Sequence, residues 1–292
     1  MSERFVVARK GCELAGERWP GGAPLLVLLH EGVADRRGWH QVAERLAPQV
    51  TVVAYDRRGY GESPASTTPF THAGDLLAIL DREQAESAWL AGASAGGGLA
   101  LDTALLAPDR VTGLVLMGTA ISGAPEPEID PVTARFEPWL EAAIAAGDQA
   151  EINRLETWLW LDGPAQPEGR VGGEARALAL DMNAIILRGE GREDEGDSDT
   201  DAWHHLAEVK VPVTVACGEF DVPFILSRCR ELADLLPRGR YRELPAMAHQ
   251  PYLEDPGQVA DLLLDALAAG IAASVQPAIG RLTRITTFAS CW

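Results

Sequence analysis

Apolar residues along the chain fall into two alternating kinds of run. Leu25-Leu26-Val27-Leu28-Leu29, Val50 to Tyr55, Ala88 to Ala91, Leu114 to Met117 and Val211 to Ala216 are short and nearly unbroken, with turn residues at their ends. Runs of this kind predict strands buried on both faces, as in a parallel sheet. Arg240 to Leu244 is a weaker last strand, and alternation over Phe5, Val7, Cys12 and Leu14, closed by Pro20-Gly21-Gly22, predicts an opening hairpin. Between these strands the spacing turns helical. Helices are expected over His40 to Leu46, after a Thr71 cap through Leu76, Leu77 and Leu80, and after Ser94 through Leu99, Leu101 and Leu105 to a stop at Pro108. Asp255-Pro256 opens a final helix with Val259, Leu262, Leu263 and Leu267 on its apolar face. Strands alternating with helices predict an α/β fold, a mostly parallel sheet covered on both faces.

The alternation breaks between about Ser122 and His205. One helical pattern starts at Asp130-Pro131 with Val132, Phe136, Leu140 and Ile144, a second near Asp148 with Ile152, Leu155 and Leu159, and a third carries Leu178, Met182, Ile185 and Ile186. An acidic run from Glu190 to Asp201 then reads as a solvated loop. A helical insert between two sheet strands predicts a lid over one end of the sheet. The expected organisation is therefore a first core part over 1–121, a helical lid over 122–205, a second core part over 206–275 and a loosely attached tail over 276–292. No internal repeat is present.

Chemistry concentrates in Gly92-Ala93-Ser94-Ala95-Gly96. This is G-x-S-x-G, placed directly after a predicted strand and before a predicted helix, where a tight turn lifts a serine above the sheet edge. All four flanking residues are Gly or Ala, which such a turn demands. Serine is a weak nucleophile without a base. The order expected for such a site is serine, acid, histidine, and Asp221 and His249 follow Ser94 in loops past later strands. His249 is then the base for Ser94, and Asp221 fixes its tautomer; Glu219 is the rival acid. For the oxyanion hole, Ala95 offers the N–H after the nucleophile and Gly32 the second, with Val33 as the fallback. Phe136, Trp139, Trp158, Trp160 and Met182 are candidates for an apolar pocket, together with Val33, although such residues more often fill a lid's own core.

The chain resembles the α/β-hydrolase superfamily, in the branch of lid-bearing esterases, enol-lactonases, carbon–carbon-bond hydrolases and cofactor-free haloperoxidases. The segments that carry the resemblance are Leu28 to Gly32 with Trp39, Asp56-Arg57-Arg58-Gly59-Tyr60-Gly61-Glu62-Ser63, the serine turn, Gly218 to Asp221 and Ala248-His249. The resemblance ranks Asp221 above Glu219. It implies a cofactor-independent serine hydrolase acting on a small, apolar ester or lactone, with carbon–carbon cleavage or perhydrolysis as alternatives on the same residues. A non-catalytic ligand receptor on this fold is the alternative of another class, and retention of Ser, Asp and His weighs against it. One departure stands out: Glu31 occupies a position where the superfamily usually has glycine. Two readings of it are open, pairing with Arg36, Arg37 or Arg57, or facing the pocket and disfavouring anionic substrates.

Composition narrows the partners. The 292 residues are 47% hydrophobic and 23% charged, with a net charge of −18. Nucleic acid and anionic membrane surfaces call for clustered Lys and Arg, so neither is expected. No apolar run approaches the ~20 residues of a membrane span, and Met1-Ser2-Glu3-Arg4 lacks the apolar core of a secretory signal, so a cytoplasmic monomer or homodimer acting on a small molecule is expected. Cys12, Cys217, Cys229 and Cys291 show no zinc spacing and read as free thiols, and the adjacent His204-His205 point to different helix faces. No phosphate loop or G-x-G-x-x-G dinucleotide turn is present, so neither metal nor cofactor is expected.

Overall fold

The computed structural model describes residues 1–66, 68–189 and 200–285. Eight strands form one sheet: β1 (Glu3–Arg9), β2 (Cys12–Trp19), β3 (Leu25–Leu29), β4 (Thr51–Tyr55), β5 (Ala88–Ala93), β6 (Val111–Met117), β7 (Val213–Gly218) and β8 (Gly239–Leu244). Their spatial order is β1-β2-β4-β3-β5-β6-β7-β8. β1 and β2 pair antiparallel, as does β2 with β4, and every later pairing is parallel.

The unbroken apolar runs have a direct physical meaning here. Successive strand residues point to opposite faces, and both faces are covered. Val27, Leu29, Val53, Tyr55 and Leu90 enter one core. Leu26, Leu28, Val52, Ala54 and Ala91 enter the other. The first core packs against α2 (His72–Arg82), α3 (Ala95–Leu106) and, between β7 and β8, α9 (Pro223–Leu235). The second packs against α1 (His40–Leu46), the short α10 (Pro251–Glu254) and α11 (Pro256–Ile285). Thr71 caps α2 by accepting from Gly74 N, as its position predicts.

Between β6 and β7 the chain inserts α4 (Pro131–Ala134), α5 (Glu137–Ala146), α6 (Gln149–Thr157), α7 (Gly173–Arg188) and α8 (Ala202–His205). The first predicted helix of this insert is split in two. Pro138 lies in the first turn of α5, where its missing N–H costs nothing, whereas in a continuous helix its ring would strike the carbonyl four residues back. α6 runs on into a wide π turn, Trp158–Asp162, ended by Gly163 at φ 94°.

Two further departures from the sequence reading concern the second core part. α9 covers a stretch for which that reading names no helix, although Ile225, Cys229, Leu232 and Ala233 give it a buried face at helical spacing. The last helix continues to Ile285, so the segment from Gln276 begins as an extension of α11 rather than as a separate tail. The acidic run over 190–199 and the chain after 285 lie outside the described residues. No helix among the described residues is long and apolar enough to cross a membrane.

Candidate active site

Parallel strands bring the loops that follow them to one sheet edge, the usual place for a ligand. Five of these loops, after β3, β5, β6, β7 and β8, build the site. Ser94, between β5 and α3, has φ 48° and ψ −117°, a conformation L-residues rarely adopt. It is held there by Ser94 N donating to Met117 O at 2.8 Å and by Gly98 N and Ala120 N donating to its carbonyl at 3.0 and 3.2 Å. The glycines of the motif are required by space. A Cβ on Gly92 would stand 2.3 Å from the backbone of Gly96, and one on Gly96 would stand 2.3 Å from Leu29 O. The serine turn is thus pressed against the end of β3, which brings the loop after β3 alongside it.

His249 and Asp221 lie in the loops after β8 and β7. Both are buried, and Nδ1 of His249 is 2.9 Å from Oδ2 and 3.1 Å from Oδ1 of Asp221. Asp221 Oδ1 also accepts from Val222 N at 2.7 Å. With Nδ1 facing a carboxylate, Nε2 is the nitrogen left for proton transfer. Burial alone would lower the imidazole pKa; the Asp221 carboxylate and its hydrogen bond, reinforced by Glu31, outweigh it and raise the value to about 9. Ser94 and His249 line one cavity of about 240 Å³, with Ile121, Pro127, Trp160, Phe224 and Ile225 supplying apolar walls. Glu219, the rival acid, is exposed and accepts from Ala246 N at 2.8 Å.

Gly118, at the end of β6, is a site residue that motif reading passed over. It has φ 52°, and a Cβ there would lie 2.9 Å from Nδ1 and Cε1 of His249 and 3.1 Å from Asp221 Oδ2. The signal in the sequence is only a glycine directly after a strand.

The loop after β3 is fixed from several sides. His30 Nε2 accepts from Arg57 N at 3.0 Å, so its Nδ1 carries the proton and faces Glu31 O at 2.8 Å. Asp56, buried at the end of β4, accepts from Arg36 N at 2.8 Å and pairs with the Arg36 guanidinium. Gly32 sits half-buried with open space where a Cβ would be, Val33 beside it is also half-buried, and neither lines the Ser94 cavity.

Glu31 pairs with none of the three arginines considered for it. Arg36 engages Asp56 and Glu62, Arg37 engages Asp35 and Asp181, and Arg57 reaches only the Glu31 backbone carbonyl, at 3.1 Å. The buried Glu31 carboxylate turns instead toward the loop after β8. Its Oε1 accepts from Gln250 Nε2 and, at 2.7 Å, from Tyr252 OH. Its Oε2 has no hydrogen-bond partner and lies 3.7 Å from His249 Nε2. Burial raises the Glu31 pKa, against the lowering effect of His249.

Of the aromatic residues expected in a pocket, Trp160 reaches the cavity. Its ring centroid is 4.8 Å from that of His249, and its carbonyl accepts from His249 N at 3.1 Å. The π turn that carries it is anchored by Arg170, which donates to Leu161 O, Asp162 O and Ala246 O, and by buried Asp162, which accepts from Arg176 Nη1 at 2.7 Å. Phe136, Trp139 and Trp158 instead pack on one another, with centroid separations of 5.1 to 5.9 Å, and none lines this cavity. Met182 is fully buried, its sulfur 3.5 Å from Asp35 N. Phe136 and Met182 are core residues of the insert and its base, Trp158 is half-buried, and Trp139 is exposed.

Residues 24–256 match the family described as alpha/beta hydrolase fold. A putative 2-succinyl-6-hydroxy-2,4-cyclohexadiene-1-carboxylate synthase of Bacillus subtilis (strain 168) is 26% identical over 260 residues, covering 87% of this chain and 90% of that protein. A pimeloyl-(acyl-carrier protein) methyl ester esterase of Photobacterium profundum is 25% identical over 249 residues, covering 82% and 93%. Among solved structures, the enol-lactonase from Burkholderia xenovorans LB400 superposes with a TM-score of 0.72 at 24% identity, covering 90% of this chain and all of that one. The chain belongs to the alpha/beta hydrolase fold family. It is a hydrolase of that class, with esterases and a lactonase among the proteins it resembles.

Proposed function

We propose that the protein is a serine hydrolase acting on a small, largely apolar ester or lactone, with Ser94 as nucleophile, His249 as base and Asp221 as the acid that orients it. The observation that carries this reading is the placing of Ser94 and His249 on one cavity while Nδ1 of the same imidazole faces Asp221 at 2.9 Å. His249 Nε2 takes the Ser94 proton as Oγ adds to the carbonyl carbon, then delivers it to the departing alkoxide. Water, deprotonated by the same nitrogen, releases the acid. The N–H groups of Ala95 and Gly32 receive the oxyanion, and Ala95 opens α3, whose positive end adds to the stabilisation. The apolar walls from Ile121, Phe224 and Ile225 suit a short acyl or ring group, and a cavity of about 240 Å³ limits its size. The helical insert acts as the lid of this cavity, contributing Trp160 to its wall.

Intact-mass spectrometry after exposure to a fluorophosphonate tests the reading. One adduct on the wild type that vanishes in Ser94→Ala is expected. Folded wild type that takes no adduct would overturn it.

A further inference from the structure

A second cavity of about 300 Å³ lies on the other flank of the serine turn. Ala95, Ala120 and Ile121 form part of its wall, and Ala120 and Ile121 also line the Ser94 cavity, so the two spaces are neighbours across these residues. Arg57, His72 and Asp102 supply its polar side.

Arg57 is electrostatically incomplete. Its buried neighbours are neutralised, Arg36 by Asp56 and Arg58 by Asp75. Arg57 is only 5% exposed, yet no carboxylate among the described residues lies within ion-pair distance of it. Its Nη2 donates to the Glu31 carbonyl, its guanidinium lies 4.4 Å from the centroid of the Tyr60 ring, and its Nε has no partner. A guanidinium keeps its proton at any ordinary pH, and a buried charge without a counter-charge is costly. His72 beside it has an unpartnered Nδ1, and burial together with the Arg57 charge lowers its pKa to about 4, leaving a neutral ring. Asp102, on the same wall, accepts from Ser122 Oγ at 3.0 Å and is the one carboxylate among the described residues lining the cavity.

We propose that this cavity is an anion subsite in which Arg57 receives a carboxylate carried by the substrate while the scissile carbonyl lies at Ser94. The inference rests on the serine-hydrolase reading and narrows its substrates to carboxylate-bearing esters and lactones. The Glu31 carboxylate lines neither cavity and is turned toward His249, so it makes no direct contact with a substrate carboxylate at Arg57.

The test compares charged and neutral substrates of matched shape. One pair places the carboxylate on the acyl side, mono-4-nitrophenyl glutarate against 4-nitrophenyl pentanoate. The other places it on the alcohol side, 4-acetoxybenzoate against phenyl acetate. In one pair the wild type is expected to favour the anion in kcat/KM by about tenfold or more, the range of a charge-assisted hydrogen bond. That ratio falls by a similar factor in Arg57→Gln and is partly restored in Arg57→Lys. A wild type that prefers the neutral member of both pairs, or a ratio unchanged in Arg57→Gln, overturns the proposal. A readout on the wild type alone covers the case of a variant that fails to fold: glutarate should inhibit neutral-ester hydrolysis competitively and glutaramide should not. Equal inhibition by both, or by neither, overturns it as well. Fluorophosphonate labelling of Ser94 separates the two levels. Labelled protein without anion preference sinks the subsite alone, and unlabelled protein sinks the hydrolase reading beneath it.

Discussion

The unpaired carboxylate oxygen of Glu31 lies 3.7 Å from Nε2 of His249, so the imidazole has an acid on each of its two nitrogens. On the proposed roles, Asp221 faces the nitrogen that orients the ring, and Glu31 faces the nitrogen that would accept the Ser94 proton. Opposite charge at this range favours the imidazolium, and a protonated imidazole is no base.

Activity should therefore rise with pH through the raised His249 value of about 9 instead of through the ordinary value near 6.5. In Glu31→Gln the amide oxygen can still accept from Tyr252 and Gln250, while the charge beside Nε2 is lost. The rising limb of kcat/KM should move down by about one pH unit or more, read from pH profiles of a neutral ester. A limb that stays in place would remove Glu31 from any role in setting the base. The same shift enters stability. A pKa raised on folding stabilises fully below the unfolded value and is lost as pH rises through the folded one. Wild-type stability should decline between about 6.5 and 9 for this reason, and less steeply in the variant.

Asp221→Asn keeps the shape of the acid and removes its charge. Turnover should fall on the order of 10⁴-fold, by analogy with the same change in other triads. Glu219→Gln, altering an exposed side chain that holds only Ala246 N, should leave turnover within about twofold. Equal losses in the two variants would reopen the choice of acid.

Gly118→Ala forces a methyl group to within 3 Å of the His249 ring, at a left-handed backbone position. The backbone term costs about 1–2 kcal/mol. The larger effect is expected on turnover, because the methyl group displaces the imidazole from Asp221. Denaturant midpoints and kcat measured together distinguish a displaced ring from a merely weakened fold.

Trp160→Ala removes a cavity wall and the ring beside His249, but it retains the carbonyl that accepts from His249 N. KM for apolar esters should rise about tenfold, in line with the burial energy of part of an aromatic ring, with kcat less affected. A fall in kcat alone would assign Trp160 to holding the base and not to binding substrate.

Much of this architecture is legible in the chain because it is local. The runs over Leu25–Leu29 and Ala88–Ala93 announce buried strands, and the Gly/Ala frame of Ser94 announces a turn whose neighbours are backbone atoms. Asp221 and His249 follow from order along the chain. What escapes is set by distant contacts. Glu31 meets Gln250 across 219 positions, and nothing near Glu31 indicates that its carboxylate turns from three nearby arginines toward His249. The apolar character of Phe136, Trp139 and Trp158 is plain in the sequence, but which cavity each faces depends on how α5 and α6 pack. α9 is a different case, since its buried spacing is present in the sequence.

Because His249 N donates to the Trp160 carbonyl, the insert supplies part of the support of the proposed base. The helical segment is consequently a poor unit for exchange. A graft from another hydrolase, however well it folded, would have to present a backbone acceptor at that one point, and a deletion would leave a buried donor unanswered beside the His249 ring. Variation that retunes substrate choice should therefore accumulate on α4 and α5 sooner than on the turn from Trp158 to Asp162.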